Sequence, residues 1–232
     1  MKIIAHRGYS GLYPENTLLA IRKALDAGCD GIEIDLYRVE DTLVVIHDAD
    51  VSRTTNGTGL LNNFNLQQLQ LLDAGQGQRV PTLMQVLQLV NNQCLLNIEL
   101  KGADTAGLLL QELATAEQQL GTRPELLLIS SFNHHLLRFL HQHRPELKLG
   151  ALTASLPLDY AAFASQLAAF SVHCDQDFID ERLVQDAHQR GLQVWVYTVN
   201  SAVRARQLHQ LGVDAIFCNY PLEAKNWLSA AD

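Results

Sequence analysis

From Leu95 onward the chain repeats one rhythm: a short apolar run, then a segment with apolar residues at helical spacing. Strand Leu95 to Glu99 leads to helix Thr105 to Leu120, and strand Leu126 to Ser130 leads to helix His134 to His143. Lys148 to Leu152 precedes a helix over Leu158 to Leu167, and Ala169 to His173 precedes one over Asp180 to Arg190. Gln193 to Val199 precedes Ala202 to Leu211, and Ala215 to Cys218 precedes a last helix from Pro221. Upstream, strand Lys2 to Ala5 is followed by a helix over Glu15 to Ala27 with Gly28 as its C-cap. Strand Ile32 to Arg38 is followed by a return strand, Leu43 to His47, and later by a helix from Pro81-Thr82-Leu83 to Val90. Strand–helix units in this number, with one antiparallel strand added, predict an α/β fold of the (β/α)8 TIM-barrel type. A doubly wound nucleotide-binding sheet is the competing layout. Its glycine signature, G-x-G-x-x-G, is missing from the first βα turn, HRGYSGLYPEN.

The chain of 232 residues contains no Gly/Ser-rich or Pro-rich linker, so residues 1–232 read as one barrel domain. Ala49 to Arg79, polar apart from an amphipathic piece near Leu66 to Leu72, reads as a short insertion after the return strand. A hydrophobic fraction of 47% suffices for a sizeable core. No apolar run approaches the ~20 residues needed to cross a bilayer, and MKIIAHRG lacks the apolar stretch of a secretion signal. A net charge of −8 argues against a nucleic-acid partner but not against a small phosphate-bearing one, because local cations can overrule the global sign. Cys29, Cys94, Cys174 and Cys218 have no CxxC spacing and read as free thiols, which fits a cytoplasmic location.

Chemistry collects at predicted strand ends, where barrel enzymes build their sites. In Ile32-Glu33-Ile34-Asp35-Leu36 the apolar residues share one strand face and the two carboxylates the other. Carboxylates side by side repel unless a cation or strong donors lie between them. Hairpin counting returns His47 to the level of Ile34 and Asp35. Glu99 ends a later strand, and Glu33, Asp35 and Glu99 could converge on one divalent cation, Mg²⁺ or Ca²⁺. The plainer reading pairs Glu99 with Arg7 or Lys101, and the two readings can coexist. Arg7 and Lys101 would hold an anionic group beside the metal, with His6 and His47 as acid and base. Such an assembly suits phosphoryl chemistry.

The chain also resembles the glycerophosphodiester phosphodiesterase family. The resemblance rests on His6-Arg7-Gly8, Pro14-Glu15-Asn16-Thr17, Glu33-x-Asp35, Val45-Ile46-His47-Asp48 and Arg53-Thr54-Thr55-Asn56-Gly57-x-Gly59. It continues through Pro81-Thr82-Leu83, Ile98-Glu99-Leu100-Lys101, Ser131-Phe132, Val194 to Asn200 and Gly212 to Ile216, in family order. It implies a TIM barrel with a small insertion and a divalent cation on Glu33, Asp35 and Glu99. It also implies an acid–base pair of His6 and His47, with Arg7 and Lys101 on the phosphate side. Glu15 is then structural and Asn16 a contact near the phosphate. A mid-strand tryptophan is ordinarily barrel core, but the family position of Trp195 implies a wall for the glycerol or the leaving group. Phe132 is read the same way.

The expected reaction is hydrolysis of a glycerophosphodiester, such as the choline or ethanolamine ester, to an alcohol and sn-glycerol 3-phosphate. The nucleophile, water or the glycerol 2-hydroxyl, is left open, as is the histidine that starts as base. A lysophospholipase D-like specificity would want an apolar ramp, of which the insertion offers little beyond Leu60, Leu61 and Phe64. A barrel that binds the diester without turnover would be expected to lack a histidine or a carboxylate, and this chain keeps them all. His134, His135, His141 and His143 lie on an outer helix and read as surface residues, while His173 and Cys174 match no catalytic element.

Overall fold

The computed structural model describes residues 1–229. Eight parallel strands close on themselves: β1 (Lys2–Ala5), β2 (Gly31–Val39), β4 (Leu95–Leu100), β5 (Leu127–Ser131), β6 (Lys148–Thr153), β7 (Ser171–Asp175), β8 (Gln193–Tyr197) and β9 (Ala215–Cys218). Closure comes from β1 pairing with β9 on one side and β2 on the other. The short strand β3 (Thr42–Val45) returns antiparallel along the upper half of β2, Leu36 facing Val45. The fold is the expected (β/α)8 barrel.

The helices between strands are α1 (Leu18–Asp26), α3 (Leu83–Val90), α4 (Ala106–Leu120), α5 (His134–His143), α6 (Ala162–Gln166), α7 (Glu181–Gln189) and α8 (Ala202–Gln210). A further helix, α9 (Pro221–Ser229), follows the last strand, and α2 (Leu66–Leu71) lies in the insertion. Strand residues facing outward, such as Ile32, Ile34, Ile98, Ile129, Val172 and Val196, pack with the helices into the large core. Those facing inward divide by height. Ile4, Leu128, Trp195, Ala215 and Phe217 form a small apolar plug, whereas β2 and β4 carry polar residues above it. The insertion has its own core, Val51, Leu61, Leu69 and Ala74, laid with Val80 on Val39, Val44 and Ile46 of the hairpin.

The largest differences from the expected boundaries are at two helix starts, each for a local reason. The first helix starts at Leu18, because Thr17 caps it, its side chain accepting from Ala20 N–H. Asn16 sits just ahead in the left-handed region (φ 58°). Helix α6 starts at Ala162 rather than Leu158, since residues 158–161 form turns and the Leu158 side chain is wholly exposed.

Candidate active site

The register of β2 against β4 sets Asp35 opposite Glu99 and Glu33 opposite Asn97. Three carboxylates thus share one inner patch, and one oxygen from each of Glu33, Asp35 and Glu99 lies within 4.8 Å of the others. At that separation two full charges repel by about 3 kcal/mol for an effective dielectric of about 20. Burial pushes the Glu33 carboxyl well above its ordinary value, with Asp35 and Glu99 adding to the effect. Burial and then Asp35 push Glu99 up to about 7. Glu33 Oε1 is buried and has no hydrogen-bond partner among the described residues. A hard, doubly charged ion would satisfy that oxygen and remove the repulsion, so the donor set fits a divalent cation.

The first βα loop bends over this patch. Arg7 and Gly8 both take left-handed conformations (φ 56° and 77°). Gly8 must be glycine, because a Cβ there would lie 2.7 Å from the Ala20 backbone. The bend lets Arg7 N–H donate to Glu33 Oε2 at 2.8 Å. Arg7 Nε lies 3.3 Å from Asp35 Oδ2, an ion pair without hydrogen-bond alignment. Lys101 Nζ donates to Glu99 Oε1 at 2.7 Å and stands 3.8 Å from Asp35 Oδ1. Burial alone would lower the pKa of both cations, but Asp35 and Glu33 raise it for Arg7, and Glu99 and Asp35 for Lys101, so both stay charged. The ion pairing of Glu99 and its place in the acidic trio therefore coexist.

Two imidazoles flank the trio. His6 follows β1, and its Nδ1 donates to Asn219 Oδ1 at 2.8 Å, leaving Nε2 without a partner among the described residues. Burial and then Arg7 push its pKa down to about 4, so it is neutral at neutral pH. His47 arrives on the return strand, as hairpin counting expects, because Ile46 N–H bonds Asp35 O at 3.0 Å. Its Nδ1 donates to Asp48 Oδ1 at 2.5 Å, and its Nε2 faces Lys101 Nζ at 3.2 Å. Asp48 also pairs with Arg53, which grips both oxygens of Glu15 at 2.8 and 2.9 Å, and Glu15 Oε1 accepts from Arg7 at 2.8 Å. This rim network ties the insertion to the barrel. Arg53 draws Asp48 down to about 2, and Arg53 and Arg7 together overcome burial to bring Glu15 to about 2.

A cavity of about 190 Å³ opens among these groups at the C-terminal end of the strands. His6, Arg7, Glu33, His47, Glu99 and Lys101 lie along it, together with Phe132, Tyr197 and Asn97. Phe132 is half exposed at the mouth, edge-on to Tyr197 (centroids 6.0 Å apart) and 5.8 Å from Lys101 Nζ. Two expectations are corrected. Trp195 is fully buried in the plug beneath the cavity, stacked on His173 at 5.1 Å, and forms no wall; Tyr197, one layer higher on the same strand face, does. Asn16 does not face the cavity: it is buried, its Nδ2 donating to Asp35 Oδ2 at 2.9 Å and its Oδ1 accepting from Asp35 N–H at 3.3 Å. It orients a carboxylate. Asn219, Asp48 and Arg53 had no assigned role from sequence, although Asp48 and Arg53 lie within the motifs quoted above.

A sequence model of the glycerophosphoryl diester phosphodiesterase family matches residues 6–223. A glycerophosphodiester phosphodiesterase of Caldanaerobacter subterraneus subsp. tengcongensis is 36% identical over 233 residues, 94% of each chain. Among solved structures, a phosphodiesterase of Oleispira antarctica in complex with the product sn-glycerol-3-phosphate superposes with a TM-score of 0.92 at 31% identity, covering 99% of this chain and 97% of its own. A glycerophosphodiester phosphodiesterase from Agrobacterium tumefaciens superposes at 0.81 with 28% identity, over 97% of this chain and 99% of its own.

Proposed function

The chain belongs to the glycerophosphoryl diester phosphodiesterase family, and on that premise we propose that it hydrolyses glycerophosphodiesters, such as the choline and ethanolamine esters, to an alcohol and sn-glycerol 3-phosphate. It is a phosphoric diester hydrolase. The observation that carries the substrate reading is a cavity lined by Glu33, Glu99, two charged cationic side chains and two imidazoles, with the buried Asp35 carboxylate within 4.8 Å of the other two.

Glu33, Asp35 and Glu99 would hold one divalent cation, Mg²⁺ or Ca²⁺. Bound there, it supplies Lewis-acid charge to the phosphate oxygens. Arg7 and Lys101 hold the same oxygens from the protein side, Arg7 through its planar fork. Asn16 and the Arg7 backbone N–H fix the carboxylates on which those contacts depend.

His6 is neutral with Nε2 free, which suits it to take the proton from the nucleophile. The Asp48 carboxylate accepts from His47 Nδ1 and orients the ring, which leaves Nε2 on the cavity side as the atom to pass a proton to the leaving alcohol. The nucleophile is water or the glycerol 2-hydroxyl; accumulation of a cyclic glycerol phosphate under single-turnover conditions would identify the second. Residues 1–232 act as one catalytic unit, with Ala49 to Arg79 as the insertion that braces His47 through Arg53. Among the described residues no helix is long and apolar enough to cross a membrane. The four cysteines are free, which supports action in a reducing cytoplasm.

The test is release of glycerol 3-phosphate from several glycerophosphodiesters, measured with coupled dehydrogenase before and after exhaustive chelation, and again with Mg²⁺ or Ca²⁺ restored. Release abolished by chelation and restored by either ion is expected. No release from any of these esters would overturn the substrate reading, and release indifferent to chelation would overturn the metal role.

A further inference from the structure

The floor of the cavity holds polar groups that the reaction above does not use. His173 on β7 is fully buried and lines the cavity, yet its Nδ1 has no partner among the described residues. Asn97 on β4 is 1% exposed and also lines it; its Nδ2 donates to Ser130 Oγ at 3.1 Å, and its Oδ1 has no partner. Leaving a buried donor or acceptor unpaired is costly, and native interiors rarely do so without a reason.

The His173 ring is held in place by several neighbours. Ser171 Oγ hydrogen-bonds its Nε2 at 2.9 Å, and Trp195 stacks on it at an interplanar angle of 3°. Gly150 makes room on the next strand, where a Cβ would lie 2.5 Å from His173 Cε1. A core position needed only for packing would be filled by an apolar side chain, with no serine to orient it and no glycine to accommodate it.

We propose that His173 Nδ1 and Asn97 Oδ1 form a subsite for the hydroxyl groups of the substrate's glycerol arm, which enters the barrel first and leaves the head group at the mouth. The proposal rests on the glycerophosphodiester reading of the site. Neither group carries charge: burial pushes His173 down to about 3, and Asn97 is an amide. They cannot compete with Arg7 and Lys101 for the phosphate, but they match neutral hydroxyls, which both donate and accept. The closed floor suits the arm common to all glycerophosphodiesters. The half-exposed Phe132 and Tyr197 at the other end suit alcohols of differing size.

The test compares binding of glycerol 3-phosphate with that of ethyl phosphate, which lacks the free hydroxyls, to the cation-loaded protein by calorimetry. The wild type should favour glycerol 3-phosphate at least tenfold, since a site built to bond a hydroxyl discriminates against a ligand lacking it. His173→Phe and Asn97→Leu should each reduce that preference to threefold or less. Should His173→Phe fail to fold, Asn97→Leu and His173→Asn carry the comparison. A wild type without preference, or folded variants that keep it in full, would overturn the subsite. Loss of preference in variants of a protein that releases no glycerol 3-phosphate from any diester would support the subsite and overturn the hydrolytic reading, so the two failures are distinct.

Discussion

Two acidic clusters lie close together in this molecule and behave oppositely. In the barrel interior, burial and then mutual crowding with Asp35 push the Glu33 and Glu99 carboxyls upward, beyond what Arg7 and Lys101 compensate. On the rim, Glu15 and Asp48 are matched by Arg53 and Arg7, and both are drawn down to about 2. The rim network satisfies itself and acts as structure. The interior trio carries an electrostatic deficit that a cation can remove, which is how a binding site differs from a salt-bridge network built of the same residue types.

The largest effects should come from the interior. His6→Ala and His47→Ala should each cut turnover by about 10²–10⁴-fold with the fold intact. A glycerol phosphodiester with a p-nitrophenol leaving group separates their roles. It should rescue His47→Ala substantially and His6→Ala hardly at all, since a good leaving group needs no acid; equal rescue would refute the assignment. Glu33→Gln should cost about 10³-fold in activity if several kcal/mol of charge stabilisation depend on the ion. The same variant should raise the thermal midpoint of the chelator-treated protein at pH 8, because it replaces a carboxyl whose ionised form burial, Asp35 and Glu99 all disfavour. A lowered midpoint would mean the trio is already compensated.

The pH dependence should separate the clusters next. The raised Glu99 value means that the unfolded chain ionises this group first, near its ordinary 4.5. Stability of the chelator-treated protein should therefore fall as pH rises from about 4.5 to about 7, and Mg²⁺ or Ca²⁺ should raise the midpoint more at pH 7.5 than at pH 5.5. The rim works in the other direction. The depressed values of Glu15 and Asp48 contribute stability present above their ordinary range and lost as pH falls through about 2. The smallest effect belongs to Arg53→Ala, expected to cost about 1 kcal/mol because the arginine is half exposed. Stabilisation by the cation should survive it, and its loss would show that rim and trio form a single network.

The barrel was readable because alternating strands and helices at this spacing have few ways to bury their apolar faces. Glu33 and Asp35 were readable for a similar reason: a period of two places them on the face opposite Ile32, Ile34 and Leu36. Trp195 shows where that argument stops. Alternation tells which face a strand residue takes but not how high it stands in a tilted barrel, so Trp195 and Tyr197 share a face while only the latter reaches the cavity. Asn16 was misjudged because its left-handed backbone turns the side chain back onto Asp35. Asn219 is separated from His6 by 213 residues, and only the closing of β9 onto β1 joins them. His173 could be noticed at a strand end, but its free Nδ1 depends on Ser171, Gly150 and Trp195, which lie on three different strands.

The most direct test of the central claim is a calorimetric titration of Mg²⁺ or Ca²⁺ into the chelator-treated wild type, Glu33→Gln and Glu99→Gln at pH 7.5. The wild type should bind one ion, and each variant should bind it at least about tenfold more weakly. A wild type that binds neither ion, or variants that bind as tightly as the wild type, would contradict the account.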